Sequence, residues 1–160
     1  MAQKSAYVET AAINYLTAKP SSNIIKLARQ HLTRQWWERR SQWRLFISPL
    51  VLEEIADGDP AAADKRLEAV RGLSVLPDRP EIEVLIVKLV AGVALPEKAR
   101  ADATHLALAA LHRMDYLVTW NMKHLDNPEL RAKIDKVIRD YGLSPAQVVT
   151  PERLLEMNDD

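Results

Sequence analysis

The chain of 160 residues carries 22 Lys plus Arg against 22 Asp plus Glu, 48% apolar residues and no cysteine. That is enough for one domain with a single core, too apolar for a disordered chain, and it excludes disulfides and thiolate metal sites. No apolar run is long enough to span a bilayer and MAQKSAYVET lacks the apolar core of a signal peptide, which points to the cytoplasm; a net charge of zero neither demands nor excludes a nucleic-acid partner, because clustering decides that.

Ser5 to Val8 reads as a first strand buried on both faces, ending at Glu9-Thr10. Ala11 to Leu16 suits a short helix closed by Lys19-Pro20. With Ser21 or Ser22 as N-cap, a long helix is expected from about Asn23 to Arg40, burying Ile25, Ala28, Leu32 and Trp36. Its other side is basic, with Trp37 lying among Arg34, Arg39 and Arg40. Arginines interleaved with an aromatic suit a single-stranded nucleic acid. The same residues also suit a plain solvated face, or a partner surface.

Leu45 to Ser48 is the second strand, and Pro49 opens the helix PLVLEEIADG. Glu54 shares the inward face of Leu50 and Val51, whereas Glu53 is turned outward. Asp59-Pro60 opens a further helix, Leu73 to Leu76 is a third strand, and Glu81 to Val93 is a helix packing through Ile82, Leu85, Ile86 and Leu89. In the next helix Asp102 falls on the stripe of Leu106, an inward position that is costly for an unpaired carboxylate. Tyr116 to Thr119 is the fourth strand, with Trp120-Asn121 at its end and a short turn from Met122 to Leu125. A helix from about Glu129 to Tyr141, stopped by Gly142, a last strand Gln147 to Thr150 and a terminal helical turn complete the chain. Strands alternating with helices imply a single α/β domain over residues 1–160, with a mostly parallel sheet.

Ligands of such sheets bind outside the carboxyl ends of the strands. Glu9, Glu54 and Asn121 can converge there, and so can Asp102 if its helix runs antiparallel to the strand it feeds. Glu9 can equally be a carboxylate favoured by the helix that follows it. Three acids and an amide in one pocket need a counter-charge, and oxygen ligands suit Mg²⁺ or Mn²⁺ over zinc. The phosphate cradles GxGxxG and GxxxxGK[ST], the GxSxG elbow and an HExxH pair are all absent from the sequence. His105, one turn from Asp102, either orients it, touches substrate, or packs in the core; His124 anchors the turn after Asn121.

The segments YVET, ISPLVLEEI, ADATHLALAA and DYLVTWNMKHL, in this order, resemble the PIN-domain family over nearly the whole chain, and most of all the toxin subunits of VapBC-type toxin–antitoxin pairs. The most specific part is Asp-Ala-x-His-Leu-Ala-x-Ala followed by Thr-x-Asn. The resemblance implies a three-layer domain around about five parallel strands, Mg²⁺- or Mn²⁺-dependent ribonuclease activity, frequent homodimers, and a small antitoxin that blocks the acidic site. Carried over by motif, Glu9, Glu54 and Asp102 become the family's acids and metal ligands, and Asn121 takes the fourth position. Thr10, Asn14, Ser48 and Thr119 become polar neighbours that support them. Two departures stand out: glutamate replaces the usual first aspartate, and a neutral amide replaces the frequent fourth aspartate. The competing expectations are a PIN-like module that binds RNA or protein without cleaving, and an α/β protein whose inward acids are structural.

Overall fold

The short apolar runs of the sequence pair side by side and in parallel. The computed structural model describes residues 3–96, 99–121 and 128–157. Its strands are β1 (Ser5–Val8), β2 (Arg44–Ile47), β3 (Ser74–Val75), β4 (Tyr116–Val118) and β5 (Gln147–Val149). Its helices are α1 (Thr10–Thr17), α2 (Ile24–Glu38), α3 (Pro49–Ile55), α4 (Pro60–Ala69), α5 (Glu81–Val93), α6 (Arg100–Leu111), α7 (Pro128–Asp140) and α8 (Pro151–Met157). The strand order is β3-β2-β1-β4-β5 and every pairing is parallel. In the centre Tyr7 pairs with Phe46 on one side and Leu117 on the other. All four residues of β1 are buried, as a strand covered on both faces must be.

The helices fall into two groups, α1 to α4 with α8, and α5 to α7, each joined by its own contacts. The chain steps outward from β1 to β2 and β3, then returns to β4 and β5 on the other side. Right-handed crossovers in opposite directions put the two groups on opposite faces, which gives three layers. The reversal lies between β1 and β4, and in such sheets the carboxyl edge at the reversal is where ligands bind. No helix of the described residues is long and apolar enough to cross a membrane.

Helix starts are written by caps. Ser48 accepts from Val51 N and Pro49 occupies the first turn of α3; Asp59 and Pro60 do the same for α4. Gly142, at φ +93°, stops α7. The third strand is shorter than the expected Leu73 to Leu76 and is an exposed edge, although Leu76 N still donates to Ile47 O at 2.8 Å.

Helix α2 corrects the sequence reading. Asn23, rather than Ser21 or Ser22, caps it. Its buried residues are Gln30, Thr33 and Trp36, while Ile25 is 63% exposed and Ala28 is also exposed. The reason is polar. Gln30 fastens the preceding loop, donating to Lys19 O and accepting from Ser21 N, and Thr33 accepts from Trp120 Nε1 at 2.7 Å. Buried polar groups keep their partners where they can, and satisfying Gln30 and Thr33 turns the apolar residues at the start of the helix outward.

Candidate active site

Three strands each deliver one polar residue to the carboxyl edge: Glu9 after β1, Ser48 after β2 and Thr119 after β4. Glu9 is 8% exposed. It caps α1, its Oε2 accepting from Ala11 N at 3.0 Å and from the Thr119 hydroxyl at 2.6 Å. Both readings of Glu9 therefore meet in one geometry: one oxygen serves the helix, and the other, Oε1, faces His105 Nε2 at 3.8 Å.

Glu54 reaches the same place from α3, while Glu53 is exposed. Glu54 Oε1 accepts from the Thr10 hydroxyl at 2.7 Å and lies 2.8 Å from His105 Nε2. Burial by itself would raise the Glu54 carboxyl; the hydrogen bonds from His105 and Thr10 more than offset it and hold the group below the ordinary carboxylate value.

His105, 2% exposed, sits between the two glutamates and a chain of hydroxyls. Its Nδ1 is 2.7 Å from the Tyr7 hydroxyl, which is 2.7 Å from Ser48 Oγ. Burial pushes the Tyr7 hydroxyl far above its ordinary value; the bond with Ser48 works the other way, and the charges of Glu9 and Glu54 add to the rise. Tyr7 thus stays a phenol, able both to donate and to accept.

The Asp102 carboxylate accepts from Asn121 Nδ2 at 3.1 Å, so the start of α6 does lie at the carboxyl edge. Asn121 is in turn tied to Glu9, because its backbone N–H donates to Thr119 Oγ1 at 2.9 Å. Yet the group close enough to bind a metal ion is Glu9, Glu54 and His105, and Asp102 stands outside it among the described residues. Helical spacing explains the exchange. Asp102 and His105 are three apart on α6 and share a side, and the deeper of the two, a turn further along, meets the glutamates.

The remaining expected residues are dispersed. Thr10 and Ser48 are in the network, but Asn14 is exposed and lines clefts on α1 without bonding to the acids. Arg34 donates to Ala18 O at 3.0 Å beyond the end of α1, and Arg40 donates to Trp37 O while its guanidinium lies 4.8 Å from the Trp37 ring centre. The turn from Met122 to Leu125, with His124, lies outside the described residues. Tyr7 was missed by sequence reasoning. A phenol inside an otherwise apolar buried strand is the signal, since a buried tyrosine hydroxyl needs a partner.

Compared with protein-family profiles, curated proteins and solved structures, the chain matches none.

Proposed function

We propose that the chain is a divalent-cation-dependent ribonuclease acting at the Glu9–Glu54 pair. One observation carries this reading: each glutamate spends one oxygen on protein donors, leaving Glu9 Oε1 and Glu54 Oε2 without a hydrogen bond among the described residues. No Lys or Arg of the described residues pairs with either carboxylate. Two adjoining carboxylates, one buried and one half-buried, without a Lys or Arg partner among the described residues favour a cation, and carboxylate oxygens suit Mg²⁺ or Mn²⁺.

The residues divide the work. Glu9 and Glu54 hold the charge, and Thr119 and Thr10 each donate to one oxygen of these carboxylates and fix it. Asp102 orients Asn121 at the solvent-facing rim, where a phosphate can approach. A cation bound here would supply Lewis-acid activation of the phosphodiester and of the attacking water. In the hydrolysis, water oxygen bonds to phosphorus, the bond to the leaving ribose oxygen breaks, and that oxygen takes a proton.

RNA as substrate rests on the resemblance to PIN-domain toxins. So do the proposals of a toxin role, a small antitoxin partner, a homodimer and a cytoplasmic setting. The test is calorimetric titration of metal-free protein with Mn²⁺ and Mg²⁺, beside Glu9→Gln, followed by incubation with single-stranded RNA. Binding and cleavage in the unmutated chain, both lost in Glu9→Gln, are expected. Tight RNA binding with no cation-dependent cleavage would reject the nuclease and leave a binding module, the reading that the neutral Asn121 favours.

A further inference from the structure

Distance alone makes His105 a ligand for any cation held by Glu9 and Glu54. The hydrogen bonds around it say otherwise. Ser48 is fully buried, and its hydroxyl has two partners among the described residues: Val51 N at 3.1 Å and the Tyr7 hydroxyl at 2.7 Å. Val51 N–H donates, so it takes a lone pair of Ser48 Oγ. The Ser48 proton then has one acceptor, the Tyr7 oxygen. Tyr7 must send its own proton onward to His105 Nδ1, 2.7 Å away. A ring nitrogen that accepts carries no proton, so the imidazole proton is on Nε2, where it donates to Glu54 Oε1 at 2.8 Å. Running the chain the other way would leave the buried Ser48 proton without an acceptor among the described residues, which is costly.

We propose that Ser48 and Tyr7 lock His105 as the Nε2–H tautomer, so that the imidazole positions Glu54 and is withheld from the cation. The inference rests on the cation site proposed above and sets its metal preference. An imidazole lone pair facing the two carboxylates would recruit zinc and the later transition metals. With a proton on Nε2, the site offers oxygen alone, and it selects Mg²⁺ or Mn²⁺. His105 is then a positioning residue acting through Glu54, and the buried hydroxyl pair is the part of the fold that keeps it so.

The test begins on metal-free protein, with long-range ¹H–¹⁵N spectra of the histidine rings. His105 is expected to show an unprotonated Nδ1 and a protonated Nε2, and Tyr7→Phe to lose that pattern. Titrations with Zn²⁺ and Mn²⁺ follow. Tyr7→Phe frees the ring to turn its lone pair inward, so its zinc affinity relative to manganese should rise about tenfold or more, the scale on which groups behind metal ligands act. His105→Gln, whose amide can donate to Glu54 but brings no imidazole, should keep Mn²⁺ affinity within a few-fold of the unmutated chain. A protonated Nδ1 in the unmutated protein would overturn the proposal. So would zinc displacing the Nε2 proton there as readily as in Tyr7→Phe, or loss of Mn²⁺ binding in His105→Gln with the fold intact. If no variant binds any cation, the site reading of the preceding section fails, and the spectra alone decide whether the lock exists.

Discussion

The Thr119 hydroxyl donates to Glu9 Oε2 at 2.6 Å, and that bond ties the end of β4 to the end of β1 where the sheet reverses its winding. Thr119 Oγ1 itself accepts from Asn121 N, so one side chain fixes both an acid and the residue that meets Asp102. Thr119→Val keeps the shape and removes donor and acceptor together. A buried hydrogen bond to a charged group contributes about 1.5–3 kcal/mol, and a loss on that scale is expected in urea unfolding. Thr119→Ser should recover most of it; full stability in Thr119→Val beside a loss in Thr119→Ser would show that the methyl packing, and not the hydroxyl, holds these strand ends together.

Glu54 makes stability depend on pH. Its carboxyl is held below the ordinary value by His105 and Thr10, against the effect of burial. The stabilisation is therefore fully present above the ordinary carboxylate range, and it drains away as pH falls through the lower folded-state value. Its side chain is 31% exposed, so solvent reduces the size of the effect. Urea midpoints followed from neutral pH into acid should fall less steeply for Glu54→Gln than for the unmutated chain. Parallel acid limbs would remove Glu54 from the account.

Asp102 lies outside the tight group but holds Asn121. Asp102→Asn should leave the thermal midpoint close to that of the unmutated chain, since the contact is at an exposed rim. Cation-stimulated RNA cleavage should fall about 10- to 100-fold, the scale for residues that orient a metal site. Cleavage at the unmutated rate would take Asp102 out of the reaction.

Chelation offers a separate check on the intact chain. Cleavage should stop with a chelator and return with Mg²⁺ or Mn²⁺. Turnover that persists in chelator would leave Glu9 and Glu54 with a structural role only.

Trp120 joins the site to α2. Its Nε1 donates to Thr33 at 2.7 Å, Tyr15 packs edge-on at 6.0 Å and Arg29 lies 5.3 Å from its ring centre. Trp120→Phe keeps most of the ring and drops the hydrogen bond, at a cost of about 1 kcal/mol. Thermal unfolding would read it, and an unchanged midpoint would show that Thr33 finds another donor.

Much of the architecture was legible before folding. The expected helix Glu81 to Val93 matches α5 to the residue, and β1 matches likewise, because apolar period and breakers act locally. The same local rule separated inward Glu54 from exposed Glu53. It failed on α2, where partners in the 18–21 loop and at Trp120 outweighed the apolar stripe. It ranked Asp102 above His105 and passed over Tyr7, for a related reason. Periodicity tells whether a side chain points inward, and nothing in it names the group that will be met there.

The sequence by itself therefore determined the elements, the parallel sheet and the edge at which acids gather. Each depends on neighbours a few residues away, or on the rule that buried strands connect through helices. Only the tertiary structure decided that Tyr7, Ser48, His105 and Glu54 form one chain of hydrogen bonds, and that Glu9 shares an oxygen between a helix and Thr119. Those bonds span 41 to 110 residues of sequence in every case except the cap of α1. Their partners are chosen by strand order and register, which bring three strand ends and two helices to one edge, and by the cost of leaving any buried polar group unpaired.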